Sequence, residues 1–137
     1  MILVDTGAFY ALADRRDVNH EAAVACLNRL DAPLATHNLI LTEAWYLLES
    51  RLGRAAARRL LEQVTQQRIE LLAVEPSDLA AALVIEERYS DLDLGLTDAV
   101  SLSLCNREKI TRVFTFDRRD FGSFQPRHTQ ALRLLPD

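Results

Sequence analysis

The segment Ile2-Leu3-Val4-Asp5-Thr6-Gly7-Ala8-Phe9 decides the fold that we predict for this chain. Its first three residues form a short apolar run, which is typical of a strand buried on both faces of a parallel sheet. The run stops at Asp5, and Thr6 then opens a helical pattern with a residue type that favours helix starts. Because ligands bind at the carboxyl edge of open α/β sheets, Asp5 is a candidate site residue. Helix capping is the alternative role for this carboxylate.

Strand and helix patterns alternate along the rest of the chain. Further strands are predicted at 33–36, 69–74, 113–116 and, as an edge strand, 131–135. Helical patterns between them cover 21–30, 38–52, 54–68, 76–89 and 97–106. This alternation predicts an α/β fold with a mostly parallel sheet of four or five strands and helices on both faces. We expect residues 1–137 to form a single domain.

Composition restricts the class of protein. Hydrophobic residues make up 49% of the 137 residues, and glycine and proline are few, so we expect a folded globular chain. No apolar run has the length of a membrane span and no secretion signal is recognisable, which predicts a cytoplasmic protein without a membrane partner. Cys26 and Cys105 are expected to be buried and reduced. The net charge of −4 argues against a general nucleic-acid coating protein, but it allows an enzyme with an acidic metal site.

Four carboxylates stand where this layout would bring them together, and they are Asp5, Glu43, Asp98 and Asp117. Four acids at one sheet edge would repel one another unless a cation neutralised them. Oxygen ligands of this kind suit Mg²⁺ or Mn²⁺. Such a site is suited to phosphodiester hydrolysis, in which the cation binds the scissile phosphate and activates a water. For Asp98 the alternative is a favourable negative charge in the first turn of a helix.

The order and spacing of four segments resemble those of a known family. The segments are Ile2-Leu3-Val4-Asp5-Thr6-Gly7-Ala8-Phe9, Leu41-Thr42-Glu43, Asp91-Leu92-Asp93-Leu94-Gly95-Leu96-Thr97-Asp98-Ala99 and Phe114-Thr115-Phe116-Asp117-Arg118-Arg119-Asp120-Phe121. Together they resemble PIN-domain ribonucleases, and specifically the toxin component of VapBC-type toxin–antitoxin pairs. The resemblance implies a PIN-like three-layer sandwich and an endoribonuclease that depends on Mg²⁺ or Mn²⁺ and hydrolyses phosphodiester bonds of RNA.

The resemblance also implies roles for individual residues and partners. Asp5, Glu43, Asp98 and Asp117 would form the catalytic metal site, with Asp5 and Asp98 as direct metal ligands. The chain would form a homodimer and be held in check by a small cognate antitoxin whose tail occupies the active-site groove. A fifth acid occurs in some members of the family. Asp91, Asp93 and Asp120 are all candidates for it, and each is also compatible with a solvated loop charge.

Each of the threonines and arginines near the predicted acids has two possible roles. Thr6 and Thr97 adjoin two of the acids, where they could orient a carboxylate or cap a helix. Four arginines near the predicted edge are candidates for contacts with RNA phosphates, and they are Arg15, Arg16, Arg118 and Arg119. A second set, Arg51, Arg54, Arg58 and Arg59, is predicted to form a solvated helix face.

Aromatic residues and histidines complete the candidates. Trp45 and Tyr46 follow Glu43 and could stack on bases, but we predict core or dimer contacts for them. The three histidines are too scattered to pair convincingly, and we expect His20, His37 and His128 on the surface or in loops.

Three other functions fit parts of the sequence. The Asp5-Thr6-Gly7 string also occurs in retroviral-type aspartic proteases, but their all-β, glycine-rich fold disagrees with the helical patterns and the 4 glycines here. A catalytically silent PIN-like module that only binds a partner is the second alternative, although the intact set of four acids argues against it. The third is a metal-independent ribonuclease that uses a histidine pair, which insensitivity to a chelator would reveal.

Overall fold

The computed structural model describes all residues from 1 to 137. Five strands are present: β1 (Ile2–Val4), β2 (Leu34–His37), β3 (Ile69–Leu72), β4 (Arg112–Phe114) and β5 (Arg133–Leu135). Seven helices surround them: α1 (Thr6–Ala13), α2 (His20–Leu27), α3 (Asn38–Leu52), α4 (Arg54–Thr65), α5 (Pro76–Arg88), α6 (Leu96–Arg107) and α7 (Arg118–Ser123). A single 3₁₀ turn, Ser90–Leu92, precedes α6. The predicted α/β class is therefore confirmed.

The five strands form one parallel sheet in the order β3-β2-β1-β4-β5. β1 lies at its centre, where Ile2 pairs with Leu34 on one side and with Arg112 on the other. Helices α1 to α4 pack against one another, and α5 packs against α6. Right-handed crossovers place these two groups on opposite faces of the sheet. All carboxyl ends of the strands therefore meet at one edge, as the sequence predicted.

The hydrophobic core lies around β1 and α6. All three residues of β1 are buried, and α6 is buried without interruption from Ala99 to Cys105. A helix that is apolar on all sides is central in its fold, which explains why α6 has no polar stripe. Cys26 and Cys105 are buried free thiols, in agreement with the prediction. None of the helices is long and apolar enough to cross a membrane.

An ion pair between a buried carboxylate and a partly exposed arginine joins the start of α5 to the end of α6. Asp78 is 3% exposed, and its side chain accepts the backbone N–H of Glu75 in a capping box. Arg107 donates to both oxygens of Asp78, at 2.8 and 3.0 Å, and to the carbonyl oxygen of Ala73. Burial raises the pKa of Asp78, but the bonds from Arg107 and Glu75 outweigh burial and hold the pKa below its ordinary value. This pair fixes the two helices on the face that α6 shares with α5.

The structure corrects two predictions around β4. The strand ends at Phe114 and does not reach Phe116, and the segment after it contains the short helix α7, which was not predicted. With only six residues and few apolar positions, α7 has too little periodicity to be recognised. Its side-chain cap comes from Asp117, whose carboxylate accepts the backbone N–H of Asp120 at 3.1 Å.

The surface placement predicted for His37 is wrong. His37 is completely buried at the end of β2, where its Nδ1 accepts the backbone N–H of Leu39 at the start of α3. Burial lowers the pKa of His37 to about 4, so the imidazole is neutral at physiological pH. His20 and His128 are half-buried, and each bonds a backbone carbonyl, that of Ala11 and of Ile110 respectively.

Candidate active site

Asp5 occupies the junction between β1 and α1, at the centre of the carboxyl edge. The side chain is 8% exposed and makes no capping bond to α1, so the capping role is excluded. Its Oδ2 accepts instead a 3.0 Å hydrogen bond from the hydroxyl of Thr115. Burial raises the pKa of Asp5, and the hydrogen bonds from Thr6 and Thr115 oppose that rise. The nearby charges of Asp117 and Glu43 raise it further.

Thr115 is a site residue to which the sequence assigned no role. It is completely buried, and its hydroxyl oxygen also accepts the backbone N–H of Asp117 at 3.0 Å. One hydroxyl group therefore fixes the side chain of Asp5 and the backbone of Asp117. The only signal in the sequence is a polar residue in an otherwise apolar strand segment, between Phe114 and Phe116.

Three carboxylates converge beside this pair. Oxygens of Asp98, Asp117 and Asp120 lie within 4.8 Å of one another, and all three side chains are half-buried. Of the three candidates for a fifth acid, Asp120 is therefore the one that joins this cluster. Asp91 and Asp93 are exposed in the loop before α6. Burial, and next the charge of Asp117, raise the pKa of Asp120.

Asp98 lies in the first turn of α6, and its pKa is raised further than that of the other acids in the group. Burial, followed by the charge of Asp5 and then those of Asp117, Asp120 and Glu43, raises the pKa of Asp98 to about 7. A favourable helix-dipole contact alone would lower this pKa. The acids thus repel one another as they stand. Such a set of closely spaced, hard oxygen donors fits a divalent cation, whose charge would remove the repulsion.

Glu43 projects from the second turn of α3 and is held by two threonines. The hydroxyl of Thr6 donates to its Oε2 at 3.2 Å, and the hydroxyl of Thr97 donates to its Oε1 at 3.0 Å. Neither threonine caps a helix, because Asp5 and Gly95 occupy the capping positions of α1 and α6. The two threonines therefore orient a carboxylate, and they join α1, α3 and α6 at the sheet edge.

Comparison with known proteins decides the family. The family model described as "PIN domain" matches residues 2–124. This chain belongs to the PIN-domain family. Ribonuclease VapC26 of Mycobacterium tuberculosis is 26% identical over 135 residues, which cover 98% of this chain and 100% of the relative. The 23S rRNA-specific endonuclease VapC20 of the same species is 27% identical over 119 residues, 85% of this chain and 89% of the relative.

Solved structures agree with the fold of this PIN domain. The crystal structure of VapC20 from Mycobacterium tuberculosis, a toxin that cleaves the sarcin-ricin loop, matches with a TM-score of 0.83 at 23% identity. The match covers 90% of this chain and 95% of the other. A toxin–antitoxin complex from Klebsiella pneumoniae matches with a TM-score of 0.68 at 17% identity, over 90% and 92% of the two chains. The PIN-like sandwich expected from the sequence is thereby confirmed.

The four arginines that were candidates for RNA contacts are all exposed. Arg15 and Arg16 are exposed in the turn after α1. Arg118 and Arg119, at the start of α7, are also exposed and donate to the carbonyl oxygens of Pro136 and Asp91.

The two aromatic residues after Glu43 have different surroundings. Trp45 packs partly against the core and donates its indole N–H to Glu49 at 2.7 Å. Tyr46 is 75% exposed and is therefore not part of the core.

Proposed function

We propose that this PIN domain is a divalent-metal-dependent endoribonuclease that hydrolyses RNA phosphodiester bonds and acts as the toxin of a toxin–antitoxin pair. The observation that carries the proposal is the group of mutually repelling acids at the carboxyl edge, in which the pKa of Asp98 is raised to about 7. Acids with raised pKa values that lie this close together are typical of functional sites, and a bound cation would neutralise their charges. The names of the relatives, which are a ribonuclease and a ribosomal RNA endonuclease, support RNA as substrate.

We assign Asp5 and Asp98 as the direct ligands of Mg²⁺ or Mn²⁺, and Glu43, Asp117 and Asp120 as the remaining acids of the site. When bound, the cation would polarise the scissile phosphate and lower the pKa of a water. Thr115 holds the carboxylate of Asp5 in one orientation through its Oδ2. Thr6 and Thr97 likewise fix both oxygens of Glu43, whose remaining lone pairs can accept a hydrogen bond from a water.

The chain offers exposed arginines for contacts with RNA. We assign contacts with backbone phosphates to Arg15, Arg16, Arg118 and Arg119. Local positive charge of this kind compensates for a net charge of −4, which by itself would repel RNA.

A separate cavity supports an antitoxin partner. It measures about 820 Å³ and lies among α1, α2, α3 and α4. Its lining is mostly apolar, with Phe9, Leu48 and Leu60 among its residues, and it includes three arginines, Arg15, Arg59 and Arg68. No carboxylate lines it. An amphipathic segment of the antitoxin with acidic residues at its margins would fit such a cavity, in addition to the tail that the resemblance places in the active-site groove.

This assignment has a direct test. We expect an antitoxin encoded beside the gene for this chain to co-purify with wild type, and Arg59→Glu to weaken the complex through charge repulsion. Arg58→Glu is the matched control, because Arg58 is an exposed neighbour in α4 that does not line the cavity. Equal retention of the partner by both variants would place its binding site elsewhere.

We also propose a homodimer. Helix α5 exposes three large apolar side chains within two turns, which are Leu79 at 44%, Leu83 one turn later at 71% and its neighbour Val84 at 60%. An unpartnered apolar stripe of this kind is typical of a protein–protein interface. Light scattering of wild type and of Leu83→Lys tests the proposal, and we expect the variant to be monomeric.

Cleavage of single-stranded RNA in the presence and absence of a chelator tests the catalytic proposal. We expect activity with Mg²⁺ or Mn²⁺ and none in excess chelator. Activity that survives the chelator would favour a histidine mechanism, although His20, His37 and His128 make no contact with one another and are engaged in other bonds. Metal binding without any cleavage would favour the catalytically silent partner-binding module.

A further inference from the structure

A buried hydrogen-bond chain lies directly behind the acids. It begins at His37, whose Nδ1 accepts the backbone N–H of Leu39, so that the neutral ring carries its proton on Nε2. That Nε2 donates to the hydroxyl of Ser101 at 2.8 Å, although 64 residues separate the two. The hydroxyl of Ser101 donates in turn to the backbone carbonyl of Thr97 at 2.8 Å. Both side chains are completely buried, so water does not compete with these bonds.

The chain joins the two helices that carry the acids. His37 is the capping residue of α3, which bears Glu43, and Ser101 lies one turn after Asp98 in α6. Since α3 and α6 lie on opposite faces of the sheet, they meet only across its carboxyl edge. A second bond crosses the same edge, from the hydroxyl of Thr97 to Oε1 of Glu43 at 3.0 Å. The buried bond between His37 and Ser101 and the exposed bond between Thr97 and Glu43 therefore fix the same two helices, α3 and α6.

We infer that the His37–Ser101 hydrogen bond is a positioning device that sets the first turn of α6, and with it Thr97 and Asp98, against Glu43 on α3. The inference rests on the proposed metal-dependent function of the acids. Neither residue touches the acids, so both act through the helices that they join. A loss of this bond therefore loosens the geometry of the site.

Two substitutions of His37 separate positioning from helix capping. His37→Asn retains an acceptor at the position of Nδ1 for Leu39, and it loses the donor to Ser101. His37→Gln places a donor near the position of Nε2, and it loses the acceptor for the backbone N–H of Leu39 that caps α3. Ser101→Ala removes the partner hydroxyl. The matched control is Ser103→Ala, because Ser103 is a second buried serine of α6 whose hydroxyl bonds only the carbonyl of Val100 within the helix.

Two readouts are required, the rise in melting temperature on addition of Mn²⁺ to metal-free protein and the kcat and KM of RNA cleavage. We expect His37→Asn and Ser101→Ala to lower kcat at least tenfold and to reduce the Mn²⁺-induced rise by half or more. His37→Gln should retain part of the kcat and part of the Mn²⁺-induced rise that His37→Asn loses. Ser103→Ala should resemble wild type. The double variant His37→Asn/Ser101→Ala should lose no more kcat, and no more of the Mn²⁺-induced rise, than the more impaired of the two single variants. Each single variant already loses the same bond.

The outcomes also separate this inference from the proposed function. If wild type cleaves RNA and the effects of His37→Asn and Ser101→Ala match those of Ser103→Ala or simply add, the positioning inference is wrong. Lower melting temperatures in chelator with an unchanged Mn²⁺-induced rise would assign the bond to stability alone, which also overturns it. If wild type binds Mn²⁺ without cleaving RNA, the proposed function fails, while the Mn²⁺-induced rise in melting temperature still tests the positioning role.

Discussion

The hydroxyl of Thr115 donates a 3.0 Å hydrogen bond to Oδ2 of Asp5, although 110 residues separate the two in sequence. The register of the sheet brings them together. Val4 pairs with Phe114 across the central strands. The residues that follow them, Asp5 and Thr115, therefore lie side by side at the carboxyl edge. The backbone follows the same pattern, since the N–H of Asp5 donates to the carbonyl of Phe114 at 3.0 Å. A parallel strand pair thus places a hydroxyl donor beside a buried carboxylate.

Replacement of Thr115 by valine should therefore harm both stability and catalysis. The change leaves the N–H of Asp117 and an oxygen of Asp5 without this partner, at a cost of about 1–3 kcal/mol in the free energy of unfolding. The pKa of Asp5 should rise further, because the bond from Thr115 opposes the effect of burial. Cleavage should then require a higher pH than in wild type. Urea unfolding and a pH profile of cleavage measure the two effects, with Thr115→Ser as the control that retains the hydroxyl.

Asp120 should behave as part of the metal site, and Asp91 should not. Asp120→Asn removes a charge from the cluster with Asp98 and Asp117, so we expect a smaller Mn²⁺-induced rise in melting temperature and at least a tenfold loss of cleavage. Asp91→Asn is the matched control, since its side chain is exposed in the loop before α6. Thermal melts with and without Mn²⁺, beside one cleavage assay, decide the matter. Equal behaviour of the two variants would exclude Asp120 from the site.

The sequence predicted the elements that depend on local pattern and missed those that depend on contacts between distant segments. The apolar run before Asp5 and the apolar helix after Asp98 are local, and both acids lie where we expected them. The role of Thr115 arises from strand register, which no local pattern reveals. Likewise His37 is buried because α6 supplies Ser101 as a partner, and an isolated histidine gives no sign of this.

The choice among the loop acids illustrates the same limit. Asp91, Asp93 and Asp120 have similar polar surroundings in the sequence, and only the position of the short helix α7 brings Asp120 to Asp117. Helix α7 has only six residues and one buried apolar side chain, Phe121, so hydrophobic periodicity could not predict it.

The ion pair between Asp78 and Arg107 should contribute to stability and not to catalysis. Arg107→Met leaves the buried carboxylate of Asp78 without its cation, and we expect the free energy of unfolding to fall by roughly 3 kcal/mol. Arg112→Met is the control, because Arg112 pairs with a mostly exposed Asp31 and such pairs contribute less than about 1 kcal/mol. Urea unfolding at neutral pH compares them. Equal losses of stability, or a changed metal requirement in Arg107→Met, would contradict this assignment.

The last prediction concerns the charge of Asp98. The pKa of this carboxyl is about 7 in the folded protein and near 3.8 as an ordinary side chain, so between these values the folded state binds more protons than the unfolded state. The stability of the metal-free protein should therefore fall as the pH rises from about 4 to about 7 and change little from this group above that range. The total loss is on the order of a few kcal/mol.

Asp98→Asn keeps the shape of the side chain and removes its charge. In chelator the variant should lack most of this pH dependence and be at least as stable as wild type at pH 7.5, while cleavage falls by orders of magnitude. Added Mg²⁺ should stabilise wild type by mass action and stabilise the variant less. Thermal melts in chelator and in Mg²⁺ at several pH values measure all of this. A variant that melts well below wild type in chelator at pH 7.5 would show that Asp98 mainly supports the start of α6, because relief of repulsion would then be outweighed by a lost structural bond.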